Sequence, residues 1–127
     1  EGLEQFSPQV VVLDPNGTLK TTDILATLPN AWHLKCDVKT AFTSLAEKGI
    51  HSVYVEYGGR LGTALLKAGL VDQLIWFRSP KLFGADAKRA VADLNLVEVA
   101  EAMTFTQIEC QQLGHDKMEI YRPCLQD

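Results

Sequence analysis

The sequence predicts an α/β fold: a mainly parallel sheet with flanking helices and a C-terminal antiparallel hairpin. Three stretches predict it. Val10 to Leu13 is a continuous β-branched and aliphatic run, the pattern of a strand buried on both faces. Val53 to Gly84 reads strand, glycine turn, helix, strand. Near the end, Met103 to Gln112 and Lys117 to Arg122 flank Leu113-Gly114-His115-Asp116, two extended runs about a turn.

At 127 residues the chain is expected to form a single domain, residues 1–127, with a real core. The net charge of −4 and the lack of a basic stripe argue against nucleic acid as a partner. No apolar run approaches the ~20 residues that cross a bilayer, so no membrane partner is expected. The opening, with Glu1, Glu4 and Gln5, carries no signal-peptide pattern and no initiator methionine, and a piece of a longer protein is expected. Cys36, Cys110 and Cys124 are odd in number and have no CxxC spacing. They are expected to be free thiols of a reducing, cytoplasmic compartment, used as small buried hydrophobes. His33, His51 and His115 are dispersed, none with a partner at metal-ligand spacing, so no metal is expected.

The first strand ends at Asp14-Pro15-Asn16-Gly17, a strong turn signal. Asp14 either caps that turn, the commoner use, or touches a ligand. Thr21-Thr22-Asp23 is placed to cap a short helix through Ile24, Leu25 and Leu28. Trp32 to Cys36 reads as a short strand. Asp37 is placed as an N-cap, Val38, Phe42 and Leu45 follow at helical spacing, and Gly49 is the expected stop.

Ile50 to Glu56 is expected to be the next strand. Glu56 would project beside Tyr54 at its carboxyl end, where open α/β sheets take their ligands. Position alone balances this evenly against a solvated strand end. Gly58-Gly59 permits a sharp turn and close approach of a ligand. The helix from about Arg60 turns Leu61, Leu65 and Leu66 inward and ends at Gly69. Its first N–H groups are free for an anion, and Arg60 adds charge. The stretch is neither a Walker loop nor a GxGxxG fingerprint, and spacing alone favours a structural turn over a phosphate site. Leu74 to Phe77 is a strand that Pro80 terminates, and Ala85 to Ala92 is a short helix or an ordered loop.

Taken as a set, Val53 to Leu61, Leu65 to Asp72 and Ser79-Pro80-Lys81-Leu82-Phe83-Gly84, with Val10 to Asp14 and the closing Glu119-Ile120-Tyr121, resemble one family. It is the reductase domain of the bifunctional riboflavin-biosynthesis deaminase/reductase. The resemblance implies a dihydrofolate-reductase-like fold. It implies reduction by NADPH of the ribosyl side chain of 5-amino-6-(5-phosphoribosylamino)uracil, a phosphorylated pyrimidine, to the ribityl form. Glu56 matches the glutamate that contacts substrate. Gly58, Gly59, Arg60, Leu61, Gly62, Thr63 and Ala64 match the turn and helix start that hold the NADPH phosphates. The resemblance also implies a homodimer; on the late strands Trp76 and Phe77 are either interface residues or ordinary core, with core slightly favoured for each singly.

Two departures stand out. The family carries a small residue after the glutamate, and here it is Tyr57. The N-terminal part of the family's reductase domain has no counterpart, so the chain is expected to be a fragment with little or no turnover by itself. No zinc-deaminase signature is present, which puts any fused deaminase domain outside these residues. Another NADPH reductase of the dihydrofolate-reductase superfamily, or a non-catalytic nucleotide-binding or dimerisation domain, remains as an alternative.

Overall fold

The computed structural model describes residues 7–124. Glu1, Glu4 and Gln5 lie outside them. The chain falls into two compact units, Glu1–Tyr54 and Val55–Asp127.

In the first unit, β1 (Val11–Leu13) pairs in parallel with β2 (Trp32–Leu34), with Val12 opposite His33. Among the described residues parallel pairing is confined to this pair. β1 is half-buried rather than buried on both faces as expected, since burial of a strand's two faces needs elements packed over both. Between β1 and β2 lies α1 (Thr21–Thr27). Its N-cap is Lys20 rather than a residue of the expected Thr21-Thr22-Asp23, and it makes no side-chain cap bond, since an ammonium offers no acceptor to the first amides; the Thr21 hydroxyl meets His33.

Helix α2 (Val38–Glu47) begins as its sequence dictates. Asp37 Oδ1 accepts from the amides of Lys39 at 2.9 Å and Thr40 at 3.1 Å, satisfying two of the otherwise unpaired N–H groups of the first turn. Its end is a Schellman motif: Ile50 N–H donates to Leu45 O and Gly49 N–H to Ala46 O, with Gly49 at φ +80°. The apolar face buries Ala41 and Leu45.

In the second unit, α3 (Gly59–Lys67) ends the same way. Leu70 N–H donates to Leu65 O and Gly69 N–H to Leu66 O, and Gly69 sits at φ +67°. Leu65 is buried, and Leu61 and Leu66 are half-buried. A three-stranded antiparallel sheet in the order β3-β5-β4 follows, from β3 (Leu74–Arg78), β4 (Phe105–Leu113) and β5 (Asp116–Pro123). The predicted hairpin is present, with Gly114 at φ +63° in the first central position of its two-residue turn, where a type II′ turn takes glycine. A register shift between Gln107 and Glu109 bulges β4 at Ile108. Glu119, opposite Trp76, is buried and accepts a hydrogen bond from Arg78, the diagonal neighbour on β3.

Two further expectations fail. Ile50 to Glu56 forms no strand; Val53 and Tyr54 are exposed. Its β-branched residues supply propensity, but a strand exists only where a neighbour completes the ladder, and none does among the described residues. Cys110 and Cys124 are exposed and Cys36 is half-buried; Cys110 lies on β4, which has little covering it. Of the two forms weighed for Ala85 to Ala92 the segment takes the loop, irregular with turns and bends. A 3-10 turn at Val99–Glu101, not foreseen from the sequence, carries a capping box between Glu98 and Glu101.

Candidate functional site

The expected site residues fall on one turn and one helix start. Gly58 is the N-cap of α3, with extended backbone (φ −92°, ψ 167°) and no side chain to cap the helix. The first amides of α3 therefore lack the side-chain acceptor that Asp37 gives to α2. A helix N-terminus carries partial positive charge, and this one has the exposed cation Arg60 in its first turn. That donor set suits the phosphates of a nucleotide cofactor.

The glycines of this segment do different jobs. A Cβ on Gly58 would meet nothing within 4 Å, so its face is open. A Cβ on Gly59 would lie 2.7 Å from the Arg89 carbonyl oxygen and 3.3 Å from the Ala92 nitrogen. The backbone of residues 89–92 crosses there, and only glycine admits it. A Cβ on Gly62 would collide with the ring of Tyr57, 2.5 Å from Cε2. Gly59 and Gly62 are thus small because the protein itself fills the space above them.

Thr63 is buried at 5 % exposure, and its Oγ1 accepts from the Ala92 amide at 2.8 Å. The same amide makes a longer contact, 3.3 Å, with the Gly59 carbonyl. Lys67 Nζ donates to the Asp93 carbonyl at 3.1 Å. Together these bonds lay residues 89–93 along α3. No sequence signal announced this segment as a partner of the helix, because the contact joins positions far apart in the chain without a motif at either end.

Glu56 lies immediately before Tyr57 and is exposed. Among the described residues it forms no ion pair or hydrogen bond. It is not at a strand end as expected, but it does sit next to the open N-terminus of α3. Tyr57 turns its ring onto the helix, and burial pushes its phenol pKa up.

The first unit holds a second cluster. Asp14 accepts from the Leu19 amide at 2.9 Å, the Thr18 amide at 3.1 Å and His33 Nε2 at 3.2 Å. These bonds, that of Leu19 foremost, hold its carboxyl below the usual range. His33 Nδ1 in turn meets the Thr21 hydroxyl at 2.9 Å. Asp14 thus caps its turn, the commoner of the two uses weighed for it. Its tie to His33 follows from the pairing of β1 with β2, which the spacing of the histidines did not reveal. Among the described residues no three His, Cys, Asp or Glu side chains group as metal ligands, and no helix is long and apolar enough to cross a membrane.

Comparison with known proteins adds four findings. The model of the RibD C-terminal domain matches residues 3–118. Over 80 residues the chain is 39% identical to the riboflavin biosynthesis protein RibD of Escherichia coli, covering 63% of this chain and 22% of that protein. Over 89 residues it is 27% identical to the 5-amino-6-(5-phosphoribosylamino)uracil reductase of Buchnera aphidicola, covering 70% of this chain and 43% of the other. A solved structure of Acinetobacter baumannii RibD superposes with a TM-score of 0.79 over 92% of this chain and 38% of that one, at 24% identity, a likeness of fold. The chain thus spans about a fifth and about two fifths of the length of these two curated relatives.

Proposed function

Because the chain belongs to the RibD C-terminal domain family, with the dihydrofolate-reductase-like α/β fold of its structural relatives, we propose that it is part of an NADPH-dependent reductase of riboflavin biosynthesis. The substrate is 5-amino-6-(5-phosphoribosylamino)uracil, reduced in its ribosyl side chain to the ribityl form. The observation that carries the reading is the uncapped N-terminus of α3, with the open face of Gly58 and the exposed Glu56 two residues before it.

In this reading Gly58 and the amides of the first turn of α3 hold the cofactor phosphates, with Arg60 adding charge. Leu61 and Ala64 shape the turn from its half-buried side, and Gly59, Gly62 and Thr63 keep the helix packed. Glu56 accepts from substrate donors and fixes its orientation. The nicotinamide, when bound, supplies the hydride; the protein contributes position and electrostatics.

The same reading places the protein in the cytoplasm, in keeping with three free cysteines. It gives a homodimer through the antiparallel sheet, where Phe77 and Ile108 are 61% and 51% exposed. A deaminase domain, where one is fused, lies outside these residues.

The test is NADPH fluorescence titration on this chain and on the full-length protein that carries it, followed by NADPH oxidation with the aminouracil substrate. Binding by the full-length protein with substrate-dependent oxidation is expected. Binding without oxidation would leave a nucleotide-binding domain, and oxidation only with another pyrimidine or pterin would move the protein to a different reductase.

A further inference from the structure

We propose that Tyr57 is a positioning residue: its ring, seated on Gly62, latches the segment Glu56 to Gly58 onto α3 and so aims the Glu56 carboxylate. The proposal rests on the reading of Glu56 as a substrate contact.

Residues 51–58 belong to no helix or strand. Glu56 is exposed and makes no hydrogen bond of its own among the described residues. Among the described residues, the two attachments between this segment and α3 meet at Gly62. The Gly62 amide donates to the Gly58 carbonyl at 3.2 Å. The Tyr57 ring covers the face of Gly62 where a side chain would stand, with Cε2 and Cγ 2.5 and 3.3 Å from a Cβ built there. Gly62 is buried, and Tyr57 is 36% exposed. Tyrosine after the glutamate and glycine at 62 therefore act as a matched large–small pair.

The mechanical consequence follows from the peptide plane. Residues 56 and 57 share a rigid peptide unit. Seating the Tyr57 ring anchors its Cα, and the planar peptide then holds the Glu56 Cα at a set distance from it, which narrows the directions open to the Glu56 side chain. A carboxylate held near its productive direction forfeits less freedom when substrate arrives, and small misplacements of such a group are costly in rate. The contact uses ring carbons, so the hydroxyl is dispensable.

The test compares Tyr57→Phe, Tyr57→Ala, Gly62→Ala and Tyr57→Ala/Gly62→Ala in the full-length protein, with Glu56→Gln as reference. Melting temperature and the KM values for the aminouracil substrate and for NADPH are measured on each. Tyr57→Phe should behave as wild type. Tyr57→Ala and Gly62→Ala should each raise substrate KM about tenfold, the effect of roughly 1.4 kcal/mol, with NADPH KM within about twofold. The double variant should be no worse than Tyr57→Ala, since both changes break one contact. Tyr57→Leu, which keeps apolar bulk on Gly62, replaces the alanine variant if that one does not fold, with an expected rise in substrate KM of about threefold. A merely structural role predicts equal rises in both KM values alongside a lower melting temperature, and that result overturns the latch. So does a substrate KM unchanged in Tyr57→Ala or Tyr57→Leu, or a Tyr57→Phe as damaged as the alanine variant. If Glu56→Gln raises substrate KM while Tyr57→Ala does not, only the latch fails. If Glu56→Gln changes nothing, the reading of Glu56 fails and the latch with it.

Discussion

His33 Nε2 and Asp14 Oδ2 lie 3.2 Å apart, with both side chains only 4% exposed. An ionised carboxylate can only accept, so Nε2–H is the donor. The Thr21 hydroxyl, 2.9 Å from Nδ1, is then placed to hold the other side of the ring. One carboxylate thereby ties the end of β1 to β2 and to the turn that follows, through Leu19 and Thr18.

That arrangement sets a pH dependence. The Asp14 carboxyl is held below its ordinary value of 3.8, chiefly by the Leu19 amide. A group whose pKa is depressed on folding stabilises the fold above its unfolded pKa and loses that contribution as pH falls through the folded value. Asp14→Asn should therefore melt at lower urea than wild type at pH 7. The difference should shrink as pH drops below about 4, where the wild-type carboxylate is itself protonated. Urea melts at several pH values check this; a gap that stays constant down to pH 2 would show that the charge of Asp14 is irrelevant to stability.

Thr63→Val tests the seating of residues 89–93 on α3. Valine keeps the volume but removes the acceptor that Ala92 N–H uses at 2.8 Å. The amide retains only the 3.3 Å contact to Gly59 O. A loss of about 1 kcal/mol is expected, together with faster hydrogen exchange at Ala92. Unchanged exchange there would mean that the hydroxyl does not hold the segment.

Gly58 and Gly59 are adjacent but should respond in opposite ways to alanine. At Gly58 a methyl group has open space, so stability should stay within about 0.5 kcal/mol. The methyl would stand on the face where the cofactor phosphates are proposed to bind, and NADPH affinity should fall. At Gly59 a methyl group meets the Arg89 carbonyl oxygen at 2.7 Å. Backbone must move, at a cost of about 1–3 kcal/mol. Denaturant melts and NADPH titration on the two variants separate the roles; a Gly58→Ala variant that binds NADPH normally would remove Gly58 from the phosphate site.

What was legible in the sequence was local. Asp37 caps α2, Gly49 and Gly69 close their helices, and Gly114 turns the hairpin, because each of those features is decided within a few residues. The α/β class followed from the same signals. The strand expected at Ile50 to Glu56 failed because pairing is decided by a partner elsewhere in the chain. The glycines of the site were legible as small residues but not by purpose. Whether a glycine makes room for a ligand or for the protein's own backbone depends on what crosses it, here residues 89–92 and the Tyr57 ring. The Asp14–His33 tie was hidden for the same reason, since it exists only once β1 and β2 lie side by side.

Glu56→Gln is the most direct probe of the proposed chemistry. The substitution keeps size and one acceptor oxygen but removes the negative charge. Glu56 is exposed and forms no hydrogen bond or ion pair among the described residues, so the folded protein loses nothing with the charge and melting should be unchanged. A hydrogen bond to a charged acceptor contributes about 1.5–3 kcal/mol, so kcat/KM for the aminouracil substrate should fall about 10- to 150-fold. NADPH affinity should remain within about twofold, because the cofactor phosphates are assigned to Gly58 and the first turn of α3. Steady-state kinetics with each substrate varied in turn distinguish these outcomes. A fall in NADPH affinity with substrate KM intact would move Glu56 from the substrate to the cofactor side of the site.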